Sequence, residues 1–209
     1  MSDAAESIEQ SDPTASERLA AWGLSPELIH DALRSGFARS QERSSLAPPA
    51  TPAMDVYGNG FEELAKILTL QGWDYEPVKN QPRLTHPDRL VTLSITSASG
   101  LGSEAAMPIT NSKGPATRQA LAHSNEGTLF ELDTHDDECA TPPLYFIVYE
   151  RKEDVLCLEI SRPSDMDASN RIVRWTDRIF LPALTLVSAP FGDTTQTGQI
   201  FDVPVEQVR

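Results

Sequence analysis

Cysteine is nearly missing from this chain. Its 209 residues hold only Cys139 and Cys157. Two thiols cannot make a disulfide framework, so that class of small stapled fold is excluded and both cysteines are expected to be reduced. Basic residues are scarce as well: 17 Lys and Arg stand against 31 Asp and Glu, a net charge of −14. A surface of that sign repels phosphate backbones, so general nucleic-acid binding is disfavoured and a basic protein partner is favoured. The imbalance is marked in residues 131–209, with fifteen acids and seven bases. No apolar run reaches the roughly 18 residues that a membrane span needs. No basic-then-apolar leader opens the chain. These absences predict a cytoplasmic protein with no membrane span. There is no Gly-Xaa-Ser-Xaa-Gly elbow, and His30, His86, His123 and His135 are scattered, so no nucleophile–base pair is legible.

Apolar residues thin out at two places. Residues 1–15 offer almost nothing to bury and are expected to form a disordered tail. Residues 41–55 lie in a stretch rich in Ser, Pro and Ala and read as a linker. Between them, residues 16–40 read as a small helical element. Ser16 is a candidate cap, Gly23 an interruption, Ser25-Pro26 a second helix start, and Gly36 a stop. Leu28, Ile29, Ala32 and Leu33 form its apolar stripe. After the linker, Asn59 and Glu62 look like cap and capping-box partner of a helix carrying Phe61, Leu64, Ala65 and Leu68, closed by Gly72.

Strand patterns follow. Val91, Leu93 and Ile95 alternate with Thr92, Ser94 and Thr96, which predicts a half-buried strand. Leu129 to Leu132 reads as another short strand. Residues 144–150 and 155–161 read as a hairpin joined by the polar loop 151–154. Residues 171–181 are ambiguous: Ile172, Trp175 and Ile179 fit a helix, Val173, Trp175 and Ile179 partly fit a strand, and Pro182 limits both; as a helix they would align Arg171, Arg174 and Arg178. The order of elements predicts an α+β domain over residues 56–209, a largely antiparallel sheet with helices on one side.

Several stretches carry candidate chemistry. NSKGPATRQALAHS, residues 111–124, puts Lys113 and Gly114 before a helix start at Pro115. A Walker loop needs Gly before Lys and a full set of amides, so the order Lys-Gly-Pro rejects it. A capped helix remains, along with an anion site built from Lys113, Gly114 and Arg118 at the helix end. SGLGSEAA, residues 99–106, has two of the glycines of a dinucleotide fingerprint, but Met107-Pro108 follows where a helix is required, so a turn is expected. Asp133, His135, Asp136, Asp137, Glu138 and Cys139 lack closed ligand spacing and read as a solvated acidic loop. Asp137 with Glu150 and Lys152 has the residue types of a metal-dependent nuclease, carboxylates for Mg²⁺ and a lysine for the attacking water. The Glu-Xaa-Lys, however, runs into a hairpin loop. No metal and no cofactor are expected.

Four stretches, WGLSPELIHDALRSGFAR (22–39), GWDYEPVKNQPRLTHP (72–87), KGPATRQAL (113–121) and EISRPSDMDASNRIVRWTDRIFLP (159–182), resemble accessory proteins carried by conjugative plasmids and integrative elements. Some plasmid accessory proteins of this size act in fertility inhibition, where a resident plasmid blocks export of another. The resemblance implies a cytosolic, non-enzymatic inhibitor that binds a protein component of a conjugation apparatus. It carries no catalytic residue onto this chain. The alternative is a small metal-dependent nuclease or nucleotide-binding enzyme.

Overall fold

The computed structural model describes residues 14–102, 107–126 and 141–186. Helix α1 spans Ala15–Ala20. Thr14, not Ser16, is its cap: Glu17 N donates to Thr14 Oγ1 at 3.3 Å and Thr14 N donates to Glu17 Oε2 at 2.7 Å, a complete capping box. Gly23, at φ +68°, turns the chain as expected. Helix α2 spans Pro26–Gln41, capped by Ser25, whose Oγ accepts from Leu28 N at 3.2 Å.

Gly36 is not a stop. It lies inside α2, where a β-carbon would come within 2.7 Å of Asp55 O and 3.0 Å of Val56 Cα. The missing side chain lets the next helix approach. That helix, α3, spans Thr51–Leu70, so it starts eight residues before Asn59. Pro52 supplies the first-turn chemistry, and Asn59 sits mid-helix with its Nδ2 donating to Asp55 O at 2.9 Å. The expected linker is thus shortened to the residues before Thr51. Arg43 ties it back through two bonds to Asp55, at 2.6 and 2.7 Å, with Arg39 adding a third contact at 3.4 Å. The Arg43 hydrogen bond, followed by the charges of Arg43 and Arg39, holds the Asp55 carboxyl below its ordinary range against the opposing effect of desolvation. Gly72, at φ +88°, ends α3 as its position predicts.

The strands are β1 (Asp74–Val78), β2 (Gln81–Thr85), β3 (Thr92–Ser99), β4 (Ile109–Thr110), β5 (Leu144–Lys152), β6 (Val155–Met166) and β7 (Ile172–Thr185). Helix α4 spans Pro115–Glu126, between β4 and β5. The sheet runs β1-β2-β3-β5-β6-β7, with β4 on the far end of β3. Every pair is antiparallel except β3 with β5, and α4 lies in the long crossover that a parallel pair requires. The protein is α+β, as its pattern predicts. Lys79 and Asn80, both at positive φ, make the two-residue turn between β1 and β2. The β5–β6 turn is shorter than residues 151–154, because Arg151 pairs with Leu156 and Lys152 with Val155. The ambiguous 171–181 segment belongs to β7, the last of the described strands in the sheet, which tolerates Pro182 because no further described strand requires its N–H.

Strand alternation splits the core in two. Tyr145, Ile147 and Tyr149 face α1–α3 together with Leu19, Ile29, Phe37, Leu64 and Leu68. Leu144, Phe146 and Val148 face the other way, with Leu101, Ile172 and Trp175, and Ala120 of α4 packs there. The helices on one side are therefore α1–α3, and α4 belongs to the second face. The helical element of residues 16–40 packs on the sheet: Leu19, Leu24, Ile29 and Phe37 are at most 4% exposed in the same cluster as the sheet residues. Arg18 pairs with Asp177 of β7, and His30 Nε2 lies 2.8 Å from Pro182 O.

Candidate functional site

The site begins with one proline. Leu84 of β2 faces Leu93 of β3. Two residues on in the same register, Pro82 would face Ile95, but it has no N–H to give. The ladder stops, and Pro82 O takes its bond from the Ser94 side chain instead, at 2.9 Å. Strand β4 rejoins β3 only at Ala98. Between Leu93 and Ala98, no described strand pairs with that edge of β3.

A cavity of about 460 Å³ fills the gap. Helix α3 lines one side with Ala53, Met54 and Tyr57; β3 lines another with Ser94, Thr96 and Ser97. The β1–β2 turn brings Lys79, Asn80 and Gln81, and the start of α4 brings Lys113, Gly114 and Thr117. Among the described residues, no Asp or Glu lines it. Side chains bridge the hairpin to α4: Lys79 Nζ donates to Gln119 Oε1 at 2.8 Å, Gln81 Nε2 to Thr117 Oγ1 at 3.3 Å, and Arg83 Nη2 to Ala116 O at 2.9 Å. Arg83 Nε is buried without a hydrogen-bond partner among the described residues, and burial lowers the pKa of that guanidinium. On the α3 side, Tyr149 Oη donates to Ala53 O at 2.6 Å, and burial raises the pKa of that phenol.

Lys113 is the charged centre. Its N–H donates to Asn170 O at 2.7 Å, which pins the loop before α4 to the β6–β7 turn. Its Nζ donates to Thr96 Oγ1. Burial pushes its pKa down from 10.5 to about 8, and among the described residues no carboxylate offsets the lost hydration. The amino end of α4, just beyond Pro115, adds a partial positive charge on the same side.

The structure divides the expected anion-binding trio. Lys113 and Gly114 border the cavity. Gly114 O also accepts from Thr117 N at 3.2 Å, so the stretch is a helix start and a cavity wall at once. Arg118 is exposed and turned away, donating to Asn170 Oδ1. The nuclease trio is not assembled among the described residues. Asp137 lies outside them, as do the rest of the acidic run, Cys139 and the proposed 129–132 strand. Glu150 accepts from Gly100 N at 3.2 Å and Leu101 N at 2.8 Å, and Lys152 donates to Leu101 O at 2.6 Å. Both side chains hold the turn of residues 99–102, where Gly100 and Gly102 have φ of +88° and +95°. Among the described residues, no group of three His, Cys, Asp or Glu could hold a metal ion. Among them also, no helix is long and apolar enough to cross a membrane.

Sequence reasoning missed Thr96, Ser94 and Thr117. Thr92, Ser94 and Thr96 had the look of an outward face, yet each is at most 5% exposed. The available signal was Pro82, a residue that interrupts a ladder inside a strand. Arg178, seen only as part of an arginine stripe, pairs with Glu159 at 2.6 Å on the second face of the sheet. No protein-family model, curated protein or solved structure matches this chain.

Proposed function

We propose that this protein is a binding protein whose cavity takes an anionic group. One observation carries the reading: in a strongly acidic chain, Lys113 borders a cavity that no described Asp or Glu lines, beside the polar side chains of Ser94, Thr96, Thr117, Asn80 and Gln81. A partly buried ammonium whose described side-chain partner is a hydroxyl has no charge partner among the described residues, and an incoming anion would supply one. The test is a titration with inorganic phosphate, followed through the amide resonances of residues 94–97 and 113–117. Saturable shifts in the wild type that vanish in Lys113→Gln support the reading. Unchanged resonances, or equal shifts in both proteins, refute it.

The resemblance to accessory proteins of conjugative elements gives this binding a setting. Two of the resembling stretches meet at the cavity: GWDYEPVKNQPRLTHP supplies Lys79, Asn80 and Gln81, and KGPATRQAL supplies Lys113, Gly114 and Thr117. On this second reading the protein is a cytosolic inhibitor that binds a protein component of a transfer apparatus and lowers export of another plasmid. Its net charge of −14 favours encounter with a basic partner surface. Expression in a donor cell should then reduce transfer of a second conjugative plasmid without changing that plasmid's copy number. Normal transfer across unrelated plasmids counts against it. The nuclease alternative has weaker support, since Glu150 and Lys152 are engaged with the backbone of one turn.

A further inference from the structure

The chain has four lysines, and three of them are held as cations or stand in the open. Lys66 lies 2.8 Å from Glu62 and 2.9 Å from Glu63. Lys152 lies 3.1 Å from Glu150. Lys79 is exposed at the cavity rim, bonded to Gln119. Lys113 alone is largely enclosed, faces a cavity and has no ion-pair partner among the described residues. Thr96 Oγ1 donates to Ser97 O at 3.2 Å, so its lone pairs are left to accept from Lys113 Nζ. That bond fixes where the amine sits.

We propose that Lys113 is a covalent capture site, forming an imine with a small 2-oxo acid bound in this cavity. Partial withdrawal of an amine from water is a usual way for a lysine to become a nucleophile near neutral pH. The unprotonated Nζ adds to the carbonyl carbon; the new N–C bond forms as the C=O π pair moves to oxygen. Nitrogen gives up one proton and oxygen gains one, leaving a carbinolamine. Loss of that oxygen as water, with the nitrogen pair closing the C=N bond, yields the imine. The net change is amine plus carbonyl to imine plus water, with no oxidant or reductant. A 2-oxo acid fits because its carboxylate is attached to the carbonyl carbon, beside the protonated imine nitrogen. The choice of an acid rests on the anion-binding reading above; the reactive amine does not. A cavity of about 460 Å³ has room for so small a guest.

The test uses the full chain with glyoxylate as the probe. Sodium cyanoborohydride reduces any imine to a stable amine, and peptide mass spectrometry reads the adduct at each lysine over time, at about pH 8. Lys113 is expected to be labelled roughly tenfold faster than Lys66, Lys79 or Lys152, since its neutral fraction is larger while its basicity falls. Acetaldehyde, which lacks the carboxylate, should label Lys113 with less preference. Thr96→Val, checked for an unchanged melting temperature, should slow labelling at Lys113 alone. Labelling of Lys113 no faster than of the other three overturns the proposal, and that comparison needs no variant. Phosphate shifts without selective labelling would leave the anion reading standing and remove the capture site. Selective labelling by both aldehydes equally would retain the amine but reject the 2-oxo acid.

Discussion

Replacing Lys113 by methionine should make the protein more stable at neutral pH, although it removes a hydrogen bond. The unfolded chain holds the Lys113 proton up to the ordinary 10.5, whereas the folded protein releases it near 8. Between those values the unfolded state binds more protons, so this group makes folding more favourable as pH rises. Below about 8 the burial cost is present in full, roughly 3 kcal/mol at about 1.4 kcal/mol per pKa unit. Methionine fills much the same space with no charge. Against that gain stands the lost bond to Thr96, about 1 kcal/mol. The expected net gain is therefore about 1–2 kcal/mol near pH 7, shrinking to nothing or reversing near pH 10. Urea unfolding of wild type and Lys113→Met at both pH values measures it, because every other titrating group largely cancels in the difference. Added phosphate should narrow the gap at pH 7 by stabilising the wild type alone. A variant less stable than wild type at pH 7, or a gap that ignores pH, would refute the reading that this ammonium is partly desolvated without a counter-charge among the described residues.

Other substitutions test the frame that positions the cavity. Gly36→Ala should lower stability by about 1 kcal/mol or more despite its better helix propensity, because the new methyl meets the α3 backbone. Gly58→Ala, in open space on the same helix, should raise it by about 0.5–1 kcal/mol, and urea midpoints of the pair decide whether packing or propensity governs. Arg178→Ala leaves the Glu159 carboxylate, 1% exposed, without its cation and should cost about 3–5 kcal/mol by chemical denaturation. Glu150→Ala strips the acceptor from two turn amides and should lower stability by about 1–3 kcal/mol. Wild type that cleaves DNA with Mg²⁺, and loses that activity in folded Glu150→Ala, would reverse the reading of this residue as structural.

Local chemistry alone determined much of this protein. Ser25-Pro26 caps a helix, Gly72 closes one, the glycines at 100 and 102 make a turn, and residues 144–161 form most of a hairpin, because each depends on neighbours a few residues away. The α+β class followed from the order of such patterns. Tertiary structure decided what distant residues do to one another. Gly36 stops a helix in isolation, but in the folded chain it is the gap through which α3 approaches. The 171–181 segment fits two periods, and pairing with β6 selects the strand. Thr92, Ser94 and Thr96 look solvated, yet the folded chain leaves each at most 5% exposed. KGPATRQAL was legible as a helix start with a lysine before it. That Lys113 meets Thr96, that Arg118 turns away, and that no described acid lines the cavity required the crossover from β3 to β5. Sequence spacing carries no record of burial between segments so far apart, and burial is what alters the lysine's chemistry.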